Sequence, residues 1–278
     1  MESVAKTFLY DGVKIKYDEF GNGDPIILLH GFGVSSYSWH DVSKPLSQKN
    51  RLFLIDLKGF GKSDKPLDDK YSISDQAEII ISFIQKNNLR NLILAGHSIG
   101  GAVALQTALR CIKMENNPLK GLILLDSPAY KQRLPAFIQI LKIPILNKLI
   151  LAFFPAKLCV KLVLKKCFFD DTKITDEMVK NYSRFFDLAG STHALITTAK
   201  KIIPKNIDEI TSKYREIKIP TLIIWGEQDK VIPLSVGQKL NQTIPNSKLA
   251  VIPDCGHMPT EEKPKETTEI ISEFLNSI

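Results

Sequence analysis

The chain has 278 residues, 44% of them hydrophobic and 24% charged, which is ample apolar material for one large domain or for one domain carrying an insertion. Its net charge of +7 is regional: Lys131, Arg133, Lys142, Lys148, Lys157, Lys161, Lys165 and Lys166 fall in a stretch without a single acid, and removing these eight leaves the rest at −1, so a protein coated for nucleic-acid binding is excluded. The start Met1-Glu2-Ser3-Val4-Ala5-Lys6 lacks a secretory pattern, and Lys142, Lys148 and Lys157 interrupt the most apolar region before it reaches spanning length, so the chain reads as cytoplasmic. Residues 5–10 and 13–20 predict two strands joined at Asp11-Gly12, a hairpin signal. After the turn Gly21-Asn22-Gly23-Asp24, Pro25-Ile26-Ile27-Leu28-Leu29-His30 is a short continuous apolar run, the pattern of a strand buried on both faces. Similar runs recur at Leu52–Ile55, Leu92–Ala95, Leu122–Leu125 and Thr221–Trp225, with a weaker one at Leu249–Ile252.

Helical patterns alternate with these strands. Ser72-x-x-Asp75 predicts a capping box ahead of Ile79, Ile80, Phe83 and Ile84, and the C-terminal segment places Ile270, Ile271, Phe274, Leu275 and Ile278 on one stripe. An antiparallel start followed by alternating strands and helices predicts an α/β fold: a mostly parallel eight-stranded sheet with helices on both faces. The alternation stops after Ser127 and resumes near Ile219. The stretch between, 130–213, has helix-like apolar spacing broken by Pro144, Pro155 and Pro204, and is expected to be a helical insertion over the sheet's C-terminal edge, leaving 1–129 and 214–278 as the core. There is no internal repeat.

The four cysteines, Cys111, Cys159, Cys167 and Cys255, form no Cys-x-x-Cys pair, and the five histidines are scattered, so no zinc site is expected. On one helix Cys159 and Cys167 would be separated by a rise of about 12 Å, too far for a disulfide. Buried free thiols are the expected state.

The chemistry concentrates at Leu92–Ala95-Gly96-His97-Ser98-Ile99-Gly100-Gly101, a strand, a Gly-x-Ser-x-Gly motif and the start of a helix. A sharp strand-to-helix turn must hold Ser98 in strained geometry with its Oγ above the sheet, and glycines at 96 and 100 leave the room that side chains would block. A serine hydroxyl is nearly inert at neutral pH and needs a base, which in turn needs an orienting acid. Asp229 and His257 each follow a later strand, and in a parallel sheet the strand C-termini share one edge, so the three can converge. His30-Gly31-Phe32-Gly33 ends another strand on that edge, making the backbone N–H groups of Phe32 and Ile99 the natural oxyanion donors, with the helix dipole at Ile99 adding to the second. Asp126, ending the Leu122–Leu125 strand, is the rival orienting acid. His97 and His30 read as structural, the latter bracing the oxyanion loop. Gly61-Lys62-Ser63 is the tail of a phosphate loop without its first glycine, since Asp56 stands there, and that reading is rejected.

These residues, with Asp56-x-x-Gly59-x-Gly61-x-Ser63-Asp64, Pro220–Asp229 and Gly256-His257, closely resemble the α/β-hydrolase superfamily along essentially the whole chain. The resemblance implies the α/β-hydrolase fold with a helical cap, or lid, at 130–213. Within the superfamily the chain is similar to capped carboxylesterases and lipases with a single-glycine oxyanion loop, and to meta-cleavage-product C–C hydrolases. Serine at the elbow departs from the aspartate of epoxide hydrolases and haloalkane dehalogenases. The expectation is hydrolysis of a small-molecule ester with an apolar acyl chain, through an acyl-enzyme, with Ser98 as nucleophile, His257 as base and Asp229 as its orienting acid, and with no metal or organic cofactor. The alternatives are C–C cleavage beside a carbonyl by the same residues, and a slow-turnover ligand receptor whose cap docks a partner. The basic insertion, with Lys157, Lys161 and Lys165 on one stripe of an amphipathic helix, implies weak association with an anionic membrane surface or an acidic acyl carrier.

Overall fold

The computed structural model describes residues 4–278; Met1–Ser3, on which part of the N-terminal reading rests, lie outside it, as do the side chains of Lys148, Ile150, Leu151 and Ala152. The chain opens with β1 (Val4–Tyr10) and β2 (Val13–Phe20), joined through Asp11 and Gly12 at φ 47° and 79°, the left-handed pair that a tight hairpin requires. It continues with β3 (Asp24–Leu29), α1 (His40–Leu46), β4 (Asn50–Ile55), α2 (Ile73–Lys86), β5 (Leu92–His97), α3 (Ile99–Cys111) and β6 (Leu119–Leu125). Next come α4 (Ala136–Leu141), α5 (Leu146–Phe153), α6 (Ala156–Cys167), α7 (Asp176–Ser183), α8 (Ser191–Lys201) and α9 (Ile207–Ser212). The chain ends with β7 (Thr221–Gly226), α10 (Leu234–Thr243), β8 (Ser247–Ile252), α11 (Pro259–Glu262) and α12 (Pro264–Ser277).

The eight strands form one sheet in the order β1-β2-β4-β3-β5-β6-β7-β8, antiparallel where β2 meets β1 and β4 and parallel elsewhere. Continuous apolar strands suit this sheet because both faces are covered. In β5, Leu92 and Leu94 join the core layer under α2 and α3, while Ile93 and Ala95 join the opposite layer with Trp39, Leu46 and Ile271 from the α1 and α12 side. α2 starts with the expected capping box, Ser72 and Asp75 each accepting from the other's backbone.

Strand order reverses at β3, with β4 on one side and β5 on the other, and the crevice above such a reversal is where open α/β sheets bind ligands. Between β6 and β7 the described residues form helices α4–α9 and no strand, and Pro144, Pro155 and Pro204 all fall between helices, where a missing N–H costs nothing. Of the cysteines, Cys111, Cys167 and Cys255 are buried free thiols, whereas Cys159 is only half-buried, because it lies at the flank of α6 rather than under it.

Candidate active site

β5 runs straight into the sharp strand-to-helix turn that carries Ser98. Ser98 sits at φ 51°, ψ −124°, a strained conformation for a residue with a side chain, and its N–H donates to the Leu125 carbonyl at 2.9 Å. The flanking glycines are required by contact. A β-carbon at Gly96 would lie 2.3 Å from the Gly100 oxygen, and one at Gly100 would lie 2.4 Å from the Leu29 oxygen. The turn therefore packs against both its own helix and the end of β3.

The structure brings Ser98, His257 and Asp229 together. His257 Nε2 is 2.9 Å from Ser98 Oγ, and its Nδ1 is 2.7 Å from Asp229 Oδ2. A carboxylate only accepts, so Nδ1 carries the proton and Nε2 is left to receive that of the serine. The second Asp229 oxygen accepts the Val231 and Ile232 N–H groups at 2.7 and 2.9 Å, which locks the carboxylate's orientation. Around this line the histidine's main chain is also held: its N–H donates to the Cys167 carbonyl at 2.6 Å and its carbonyl accepts from His97 Nε2 at 2.6 Å. Burial, reinforced by the neighbouring His257, pushes His97 down to about 3, so it stays a neutral donor. Its part is structural, as its position beside Ser98 implied.

The loop that carries His30, Gly31 and Phe32 follows β3. His30 is buried; its Nε2 accepts from the Leu57 N–H at 3.0 Å, so its Nδ1 donates to the Gly31 carbonyl at 2.8 Å. Burial lowers its pKa and keeps it neutral in that bracing role. Phe32 and Ile99 both line the cavity at Ser98, and among the described residues neither backbone N–H is engaged by another protein group. Asp56 ends β4 and accepts from the Ser36 and Lys62 N–H groups at 2.8 and 2.7 Å, so the Gly61-Lys62-Ser63 turn is built around a carboxylate and offers no phosphate cradle.

Asp126, the rival acid, ends β6 and is fully buried, but it makes no hydrogen bond to His257; its Oδ1 accepts from the Gly226 N–H at 2.9 Å. Burial, then the nearby Asp229 charge, holds its carboxyl well above the usual carboxylate range. Asp126, Asp229 and His257 are the one group of three metal-ligating side chains close together among the described residues, each offering an atom within 4.8 Å of the others. The His257 and Asp229 atoms are already bonded to each other, so a cation there would have to break that bond. Asp254 and Glu227 are exposed. One supporting residue has no sequence signal: Glu262 accepts the Gly256 N–H at 2.7 Å and those of Phe169 and Asp170 at 2.9 and 2.7 Å, tying the histidine loop to the segment after α6.

Above Ser98 lies a cavity of about 100 Å³. Its floor includes Phe32 and Ile99, and its roof includes Phe137, Val163 and Leu164 from α4 and α6. Among the described residues, no Asp, Glu, Lys or Arg lines it. Tyr130 and Tyr214 reach it, but their hydroxyls donate to Thr243 Oγ1 and the Ala129 carbonyl.

Comparison with known proteins agrees with this architecture. The sequence profile of the alpha/beta hydrolase fold family matches residues 24–264. The uncharacterized hydrolase YugF of Bacillus subtilis (strain 168) is 28% identical over 99% of this chain and 100% of its own. The 2-hydroxy-6-oxo-6-(2'-aminophenyl)hexa-2,4-dienoic acid hydrolase of Metapseudomonas resinovorans is 28% identical over 95% of this chain and 88% of its own. The solved structure of Est816, an N-acyl homoserine lactone degrading enzyme, is 26% identical and superposes with a TM-score of 0.75, covering 97% of this chain and 100% of that one.

Proposed function

The chain belongs to the α/β-hydrolase family, and on that premise we propose that this hydrolase cleaves carboxylic esters with an uncharged, apolar acyl group through an acyl-enzyme. Ser98 Oγ attacks the acyl carbon while its proton passes to His257 Nε2, and Asp229 stabilises the imidazolium that forms. The Phe32 and Ile99 N–H groups receive the oxyanion. Collapse of the tetrahedral intermediate breaks the C–O bond, and His257 returns the proton to the leaving alkoxide. Water then attacks the acyl carbon as the same imidazole takes its proton, the bond to Ser98 Oγ breaks, His257 returns that proton to Oγ, and the acid leaves. These residues complete the chemistry, so the scheme calls for no metal or organic cofactor.

The observation that carries the ester reading is the uncharged lining of the cavity. An apolar acyl chain gains from burial there, at roughly 0.8 kcal/mol per methylene. The anionic dienoate of a C–C hydrolase would instead lose its hydration without a cationic partner, a cost of several kcal/mol. The Metapseudomonas relative keeps C–C cleavage as the second reading, since the same triad geometry serves both.

Steady-state assays separate the cases. A 4-nitrophenyl ester series of increasing acyl length is compared with a 2-hydroxy-6-oxohexa-2,4-dienoate, followed by loss of its absorbance. Ester turnover of about one per second or faster, with a length optimum, is expected, and dienoate cleavage at least about a hundredfold slower. Faster dienoate cleavage would overturn the ester reading. Tight binding with very slow turnover of every substrate would instead favour a ligand receptor.

A further inference from the structure

No described helix is long and apolar enough to cross a membrane, yet the outer surface of α5 and α6 is apolar to a degree that solvent alone does not explain. Eight of the fourteen large hydrophobic side chains exposed among the described residues fall between Ile143 and Leu162. In α6, Val160, Leu164 and Cys167 already face inward and are buried. Leu158 and Leu162 nevertheless face solvent, 46% and 55% exposed, between Lys157, Lys161 and Lys165. On α5 and just beyond it, Leu149, Phe153 and Phe154 are 47%, 79% and 54% exposed. A helix that merely solvated its outer face would carry polar residues at those places.

From these observations we infer that the outer face of α5 and α6 docks on an anionic lipid bilayer, Leu158, Leu162, Phe153 and Phe154 entering the headgroup boundary and Lys157 and Lys161 meeting lipid phosphates. Charge complementarity selects that occupant. The stretch from Lys131 to Phe168 holds eight basic residues and no acid, and among the described residues only Lys165 pairs with a carboxylate, Asp171 at 3.0 Å. A protein interface depletes lysine at its centre and prefers arginine, whereas an interfacial membrane helix combines lysine with leucine and phenylalanine. Val163, Leu164 and Cys167, on the inner side of α6, line the cavity above Ser98, so a bilayer on the outer side would lie about one helix diameter, roughly 10 Å, from it. That proximity to acyl chains matters only under the proposed ester reading; docking itself does not depend on it.

The test is co-sedimentation of the full chain with vesicles of phosphatidylcholine alone and of phosphatidylcholine mixed with phosphatidylglycerol, at low salt and at about 1 M salt, where charges are screened beyond roughly 3 Å. Binding is expected for the anionic vesicles only, lost at high salt, and weakened about 30-fold in Lys157→Gln/Lys161→Gln. Phe153→Ser/Phe154→Ser should weaken it at least about tenfold while leaving its salt sensitivity. Circular dichroism matching the wild type confirms that each variant is folded. No binding, equal binding to both vesicle types, or an unaffected lysine variant would each overturn the proposal. So would capture by an acidic acyl carrier protein without vesicle binding, which would assign the surface to a protein. Since no arm measures catalysis, failure here leaves the ester reading standing, and the reverse.

Discussion

The backbone N–H of His257 donates to the carbonyl of Cys167 at 2.6 Å, so the C-terminal end of α6 and the candidate catalytic histidine share a hydrogen bond. The approach is tight enough that a β-carbon on the neighbouring Gly256 would lie 2.2 Å from that same carbonyl oxygen. Helices above the sheet therefore do more than roof the cavity: one of them fixes the height of the imidazole over Ser98. Glu262 fastens the same junction from the other side.

Glu262→Gln tests that junction. The carboxylate accepts from Gly256, Phe169 and Asp170, and an amide has one oxygen fewer with which to accept. One N–H is left facing an NH₂ group, at a cost of about 1.5–3 kcal/mol for a bond to a charged acceptor. Urea unfolding should show that loss, and kcat should fall roughly tenfold as His257 drifts. A variant with wild-type stability and turnover would show that the junction is incidental.

Asp229→Asn and Asp126→Asn separate the two buried acids. Asn at 229 would favour the wrong imidazole tautomer and should lower kcat by about 10⁴, by analogy with the serine-protease triad. Asp126, whose carboxyl burial and Asp229 push well above the usual range, bonds the Gly226 N–H and not His257, and an amide keeps an oxygen to accept there, so Asp126→Asn should cost less than about tenfold. Reversed magnitudes in kcat would move the orienting role to Asp126.

Glu261 makes a prediction in pH. It is fully buried, its Oε1 accepts the Tyr182 hydroxyl at 2.8 Å, and burial, reinforced by Asp41, pushes it up to about 8 from an ordinary 4.5. The folded protein holds this proton up to about pH 8, whereas the unfolded chain releases it near 4.5. Folding therefore takes up a proton between those values, and stability falls as pH rises through the window, by at most about 1.4 kcal/mol per pH unit. Below 4.5 both states are protonated and the penalty is absent; above 8 it is complete. Glu261→Gln removes it while keeping an acceptor for Tyr182. The stability advantage of the variant, measured by denaturant melts at pH 5, 7 and 9, should grow with pH. A constant difference would contradict the assignment.

What the sequence discloses of this molecule depends on whether the constraint is local. Ser98 is legible because the elbow's demands, an apolar strand, two glycines and a helix start, all lie within a dozen consecutive residues. Asp229 and His257 are legible as loop residues after parallel strands, since strand direction alone puts them on the serine's edge. The bond from His257 to Cys167 is not legible: it joins two main-chain atoms ninety positions apart, and no side chain announces it. Glu262 is invisible for a similar reason, its partners being backbone N–H groups of two distant segments. The periodicity of α6 places Lys157, Lys161 and Lys165 on one stripe, but whether Leu158 and Leu162 turn inward or outward depends on how the helix settles over the sheet. Only the fold decides that, and it leaves them exposed.

The most direct measurement of the central assignment is labelling with a fluorophosphonate, read by intact mass and peptide mapping. Ser98 is strained at φ 51°, its Oγ lies 2.9 Å from His257 Nε2, and among the described residues no Asp, Glu, Lys or Arg lines the cavity above it. A single adduct is expected, on Ser98, that disappears in Ser98→Ala while that variant stays folded and loses at least about 10³ in kcat. An adduct on another residue, persistence of the adduct in Ser98→Ala, or no adduct under conditions where the protein hydrolyses esters would contradict it.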